Sequence, residues 1–256
     1  MPVHIGALAK PLLVAPERHP LRPAAAAAAL GRTIVFAPHP DDESLGCGGL
    51  LALLGNAGID ATVVMMTDGS LSHPNSVTHS RARLAATRED ETLAAIGALG
   101  LPSSAVNFLR YRDCALPAPG TAGFSAAAAG VTTLVDAIAP ETILVPWRRD
   151  PHCDHVSTWH VVREAVAHAG NIPRWLEYPV WAWSDAEGDA GPRDDEAVAW
   201  RLDISSVLEQ KQDAIAQHRS QLGQLIRDDP DGFVLRPEVL TYFAQPWELF
   251  LVPYDV

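Results

Sequence analysis

Cysteine is scarce in this chain: three residues in 256, at Cys47, Cys114 and Cys153. The number is odd, and no two of them stand at a metal-binding spacing. That excludes a disulfide framework and leads us to expect a reducing, cytoplasmic setting. Basic residues are also in deficit, with 19 Lys and Arg against 31 Asp and Glu and a net charge of −12. Nucleic acid is therefore not an expected partner, because binding it needs a basic face to displace phosphate counterions. An anionic membrane surface is excluded on the same grounds. No long hydrophobic run is present. The longest apolar tract, "LRPAAAAAALG" (21–31), is alanine-rich and too short to span a bilayer. It also makes a poor secretory signal, since histidine, glutamate and proline interrupt the segment before it. There is no internal repeat and no long linker. We expect one domain over 1–256, with 1–30 as an irregular, proline-bearing extension.

What the chain does contain is alternation. "TIVFAP" (33–38), "IDATVVMMTDG" (59–69), "VNFLR" (106–110) and "TILVPW" (142–147) read as strands. Between and after them, helices are predicted over 44–58, 83–101, 124–139 and 155–170. Such βα alternation predicts an α/β fold, a Rossmann-like and mostly parallel sheet with helices on both faces. The C-terminal third is less regular and reads as an irregular cap. "RWLEYPVWAW" (174–183) looks extended, 186–197 looks like an exposed loop or hairpin, and 203–222 looks helical with Asp203 or Ser205 as its cap.

Two polar clusters interrupt this pattern at matching places. The first strand runs directly into His39-Pro40-Asp41-Asp42-Glu43, and the fourth into "RRDPHCDH" (148–155). In open α/β sheets, ligands bind beyond the carboxyl ends of the strands, so two such ends can meet over one site. Two imidazoles and one carboxylate from these clusters would suit a divalent metal with an open coordination position. Water on such an ion has its pKa lowered from about 15.7 towards ~7, and a carboxylate outside the ligand set can accept the proton. Either cluster alone has a simpler explanation, a hydrogen-bonded loop histidine or acids favouring a helix N-terminus. It is their pairing that favours the metal.

"PHPDDE" (38–43) followed by "HCDH" (152–155) resembles the signature of the LmbE-like, or PIG-L, family of metal-dependent N-deacetylases. "TDG" (67–69), Arg88 and Glu91, Asp113 and "HRSQ" (218–221) fall where further landmarks of that family are expected. The resemblance implies an N-acyl amide hydrolase acting on an amino-sugar conjugate, most simply an N-acetyl one. It implies zinc, with ferrous iron as the other metal this donor set accepts. His39, Asp42 and His155 would be the ligands, and Asp41 the general base. His152, when protonated, would stabilise the oxyanion or serve the leaving amine, oriented by Asp154. Arg88 and Asp113 would contact substrate; Arg88 has the simpler alternative of an i,i+3 pair with Glu91, and Asp113 of capping a turn. Glu43 is read as structural. Beyond the substrate, neither nucleic acid nor membrane is an expected partner, and association with further copies of the chain is left open.

Cys153 stands where the family often has proline, and is expected to be an inert buried thiol rather than a metal contact. The run Arg148-Arg149-Asp150 is either a substrate contact or a surface charge run. The loop 68–84, carrying His73 and His79, is either a substrate lid or plain surface. Seven tryptophans are mostly core, with sugar stacking open to the three in 174–183. Three rivals stand beside the hydrolase. His39-x-Asp41 with His155 fits the triad of a non-haem iron oxygenase, although those enzymes are typically all-β. "LGCGG" (45–49) faintly suggests a nucleotide loop, but glycines packing a helix against a sheet are the simpler account. A catalytically silent carbohydrate-binding relative is the third.

Overall fold

The computed structural model describes residues 9–255. Residues 1–8 of the expected N-terminal extension lie outside that range.

The four expected strands form at Thr33–Ala37 (β2), Ala61–Thr67 (β3), Val106–Tyr111 (β4) and Thr142–Pro146 (β5). A short strand, Leu21–Arg22 (β1), precedes them, and Arg174–Tyr178 (β6), Ala197–Asp203 (β7) and Trp247–Pro253 (β8) follow. All eight belong to one sheet in the order β1-β7-β8-β6-β5-β2-β3-β4. Every pairing is parallel except those of β8, which is antiparallel to both β6 and β7. The helices are Asp42–Asn56 (α1), Arg81–Ala98 (α2), Phe124–Ile138 (α3), Cys153–Ala167 (α4), Leu208–Gln217 (α5) and Pro237–Phe243 (α6).

β2 and β5 are buried at every residue, as continuous apolar runs in a parallel sheet require. Alternate side chains sort to the two faces. Val35 and Ala37 join Leu50, Leu51 and Leu54 of α1 on one side, while Ile34 and Phe36 join Val131, Val161 and Val162 of α3 and α4 on the other. Helix α1 is buried nearly all round, and its glycines allow the close approach. A Cβ on Gly46 would lie 2.3 Å from the Tyr178 ring, and one on Gly49 would lie 2.6 Å from Ile204. These glycines therefore fill packing contacts and leave no phosphate loop.

The C-terminal third departs from expectation by feeding β7 and β8 into the sheet rather than forming only a cap. The extended stretch stops at Tyr178, and Trp181–Asp185 turns into a 3-10 helix. The cause is Asp150, whose carboxylate accepts from the N–H groups of Val180, Trp181 and Ala182. The predicted helix over 203–222 is shortened to α5, because the Asp203 carboxylate takes the Ser205 N–H at 2.9 Å and a 3-10 turn precedes it. It ends before His218, whose ring is drawn to Glu43.

Topology places the site. β2 is flanked by β3 on one side and β5 on the other, so the strand order reverses between β2 and β5. Both polar clusters leave the sheet at that switch point.

Candidate active site

His39 to Asp42 make the turn from β2 into α1. Asp41 stands at the helix start with φ 147°, a backbone region non-glycine residues rarely occupy. Arg88 of α2 holds it there. The guanidinium donates to Pro40 O at 2.6 Å and Gly69 O at 2.9 Å, and lies 3.3 Å from Asp41 Oδ2. On the other side of the switch point, His152 precedes α4 and His155 lies in its first turn. The rings of His39, His152 and His155 form a triangle with centroids 4.5–5.4 Å apart.

Asp42 joins the two clusters. Its Oδ2 is 3.3 Å from His39 Nδ1 and 3.2 Å from His155 Nε2. Donors about 2.0–2.1 Å from a tetrahedral zinc stand roughly 3.4 Å apart, so this spacing suits a shared ion. A second feature fits as well: both ring nitrogens of buried His155 lack a hydrogen-bond partner. Its Nε2 faces Asp42 at contact distance without hydrogen-bond geometry, as two ligands of one ion would. His155 Nδ1 lies 3.1 Å from Asp150 Oδ1, likewise without hydrogen-bond geometry, in the position of the outer carboxylate that commonly stands behind a ligating imidazole. His39, His152 and His155 also bring donor atoms within 4.8 Å of one another, as do His39, Asp113 and Asp154. We favour the Asp42-centred set because Asp42 touches both buried histidines.

The electrostatics separate the carboxylates. Burial pushes Asp41 up to about 7, with Asp42 adding to the effect and Arg88 opposing it. Asp42 is held far below the ordinary range despite its burial, by His155 and His39. Burial would depress His155, but Asp42 and Asp150 raise it to about 9. His39 is likewise raised, against burial, by Asp113, Asp154 and Asp42. His152 goes the other way, lowered to about 4 by burial and by the neighbouring His39 and His155.

Two expectations change here. Asp154 does not orient His152 through its carboxylate. That group accepts from the N–H groups of Cys114 (2.7 Å) and Leu116 (3.2 Å) and meets His39 Nε2 at 3.1 Å. It is the Asp154 main-chain N–H that donates to His152 Nδ1, at 3.2 Å. A neutral His152 whose Nδ1 accepts must carry its proton on Nε2, so the ring is a neutral donor and need not be an imidazolium. Arg88 is not paired with Glu91, whose carboxylate is taken by Ser220 N and Oγ. It is only 3% exposed and lines the cavity beside Asp41. Asp113 accepts from Leu71 N at 2.8 Å and faces His39 Nε2 at 3.4 Å, on the cavity wall.

Other residues resolve as follows. Glu43 is structural as expected, accepting from Asp41 N and Ser44 Oγ and meeting His218 Nε2 at 3.1 Å. Asp150 belongs neither to a surface charge run nor to a substrate contact: it is fully buried behind His155. Arg148 and Arg149 instead pair with Asp255 and Glu196 away from the cavity. Cys153 is exposed, not a buried thiol, because it opens α4 at the surface. In the loop after β3, His73 and His79 are buried and residues 75–78 are anchored to Asp228 and Asp229. Leu71 and Ser72 of that loop face the cavity. The cavity measures about 420 Å³, and His39, Asp41, Asp42, His152, Trp181 and Phe233 are among the residues that line it. Those two rings meet edge to face at 5.6 Å.

The oxygenase triad fails on geometry. It requires Asp41 beside the histidines, whereas Asp42 occupies that place and Asp41 is drawn to Arg88.

Fold and site together define a doubly wound α/β protein with a candidate divalent-metal centre at its switch point. The GlcNAc-PI de-N-acetylase (PIG-L) family profile matches residues 34–166, more than half the chain, and the protein belongs to that family. The chain is 28% identical over 204 residues to the diacetylchitobiose deacetylase of Thermococcus kodakarensis, covering 74% of this chain and 70% of that one. It is 26% identical over 195 residues to the 2'-N-acetylparomamine deacetylase of Streptomyces fradiae, covering 71% and 70%. Among solved structures, the N,N'-diacetylchitobiose deacetylase from Pyrococcus horikoshii superposes with a TM-score of 0.61 at 22% identity, over 82% of this chain and 73% of that one. The 4-carboxy-2-hydroxymuconate hydratase GalB from Pseudomonas putida shares the fold too, with a TM-score of 0.59 at 22% identity over 76% and 85%. The fold alone therefore does not select the reaction. No helix among the described residues is long and apolar enough to cross a membrane.

Proposed function

We propose that this chain is a single-domain, metal-dependent hydrolase that removes an N-acyl group, most simply N-acetyl, from an amino-sugar conjugate. The observation that carries the metal site is the convergence of His39 Nδ1 and His155 Nε2 on Asp42 Oδ2, with Asp41 beside them. Membership of a family whose matched relatives are amino-sugar deacetylases supports the substrate class.

His39, Asp42 and His155 would hold the ion, zinc or ferrous iron. Once bound, it supplies Lewis acidity toward the amide carbonyl and eases deprotonation of water. Asp41 takes the proton from the attacking water; burial raises its pKa to about 7 in the metal-free protein, and a bound dication would lower it, leaving it the free base at neutral pH. His152 donates from Nε2 to the carbonyl oxygen as negative charge builds there. The proton held by Asp41 then passes to the nitrogen of the departing amine. Arg88 keeps Asp41 in place, and Asp113 forms part of the wall against which the sugar lies. Trp181 and Phe233 offer an apolar face suited to a sugar ring or its aglycone.

The test is acetate release from a panel of N-acetylglucosamine conjugates. Metal-stripped protein would be assayed alone and after restoring zinc or ferrous iron, alongside Asp41→Ala and His155→Ala. Metal-restored release that both variants lack is expected. Tight metal binding without release from any conjugate would reject the substrate class, and absence of metal binding would reject the site.

A further inference from the structure

The mechanism leaves two thiols unused beside it. Cys114 follows β4 and Cys153 opens α4, 39 positions later; both are exposed. The fold brings them together beside the cavity that Cys114 and His152 line, and Cys114 Sγ, Cys153 Sγ and a ring nitrogen of His152 all lie within 4.8 Å of one another. Neither position is slack. The Cys114 N–H is held by Asp154 Oδ2 at 2.7 Å, and the Cys114 Sγ donates to Asp113 Oδ1 at 3.5 Å. Cys153 is fixed by its place in the first turn of α4, next to His152.

We propose that Cys114, Cys153 and His152 form a second metal site, selective for a soft dication such as zinc or cadmium and separate from the His39–Asp42–His155 set. Two thiolates and an imidazole are the donors such ions prefer, and hard, oxygen-seeking cations do not. With metal–sulfur bonds of about 2.3 Å and metal–nitrogen bonds of 2.0–2.1 Å, tetrahedral donors stand roughly 3.5–3.8 Å apart. The three atoms therefore need to close by only about 1 Å, within reach of side-chain rotation. Binding breaks two S–H bonds and releases two protons to solvent. It forms two metal–sulfur bonds and one metal–nitrogen bond, leaving a neutral site with a fourth position for water. Occupancy commits His152 to the second ion. On the deacetylase reading, which this consequence rests on, a soft dication in excess of the first equivalent would remove the oxyanion donor and stop turnover.

The experiment uses full-length protein loaded with one equivalent of zinc and kept reduced with a phosphine, then titrated with cadmium. Thiolate-to-cadmium charge-transfer absorption should grow to one further equivalent while the zinc stays bound. Cadmium should also shield Cys114 and Cys153 from iodoacetamide, with buried Cys47 as the internal reference. Cys114→Ser with Cys153→Ser should abolish the absorption and retain the zinc; Cys153→Ser alone, at an exposed position, covers a failure of the double variant to fold. A missing charge-transfer band, a band that survives loss of both thiols, or cadmium merely replacing zinc would overturn the proposal. Acetate assays run in parallel keep the two readings apart. A band in a protein that releases no acetate leaves the second site standing and removes the deacetylase; release without a band does the reverse.

Discussion

Asp150→Asn is the sharpest single perturbation of the candidate metal centre, because it changes one atom type at a buried hinge. One carboxylate oxygen accepts from Val180 and Ala182 at 2.9 and 3.1 Å, and the other accepts from Trp181 at 3.1 Å and faces His155 Nδ1. Asparagine retains one acceptor and places an NH2 group where an acceptor is required. Either a backbone N–H or the imidazole then meets a donor. A buried donor without a partner costs about 1–3 kcal/mol, so the melting temperature should fall by several degrees. Loss of the carboxylate behind a ligating imidazole typically lowers metal affinity 10- to 100-fold, about 1.4 to 2.8 kcal/mol. Competition against a chelator of known affinity measures this directly. Activity should fall at limiting metal and recover substantially at saturating metal, since Asp150 does not line the cavity. Unchanged metal affinity in a folded Asp150→Asn protein would show that His155 does not bind the ion through the ring that Asp150 orients.

Asp41→Asn should lower kcat by about 10²–10⁴ while leaving the metal in place, the usual weight of a general base. Since Asp41 works deprotonated, wild-type activity should decline toward acid pH, and any residual activity of Asp41→Asn should lack the part of that limb that Asp41 contributes. Gly46→Ala should destabilise by about 1–3 kcal/mol, because its Cβ would meet the Tyr178 ring at 2.3 Å and disturb the Tyr178 hydroxyl donated to Phe36 O. Gly97→Ala, with nothing within 4 Å, should instead stabilise by roughly 0.5–1 kcal/mol, and thermal melts of the pair decide. His218 is buried; burial would depress its pKa, but Glu43 raises it. Its contribution to stability is therefore complete below the unfolded value near 6.5 and is lost as pH rises through the folded value. Wild-type melting temperature should drop over that window, and His218→Gln should flatten the profile.

The sequence determined the frame of this protein. Fully buried parallel strands must be continuous apolar runs, so β2, β3 and β5 were legible as such, and the helices between them fixed the alternation. The polar clusters at 39–43 and 148–155 stood out because a strand that ends in acids and histidines violates that pattern, whereas the choice of His39, Asp42 and His155 within them came from the resemblance to the PIG-L family. Strands β7 and β8 were not legible: their partners lie elsewhere along the chain, and local composition carries no record of which edge they join. Asp150 was hidden for a related reason. An acid beside two arginines has the same sequence whether it faces water or accepts three backbone N–H groups behind His155. The proton on His152 Nε2 and the strained φ of Asp41 belong to tertiary structure as well, because a main-chain N–H and a distant arginine decide them. The cysteines make the contrast plainest. By spacing they suggested nothing, and only the fold, by ending β4 near the start of α4, puts Cys114 and Cys153 within reach of one ion.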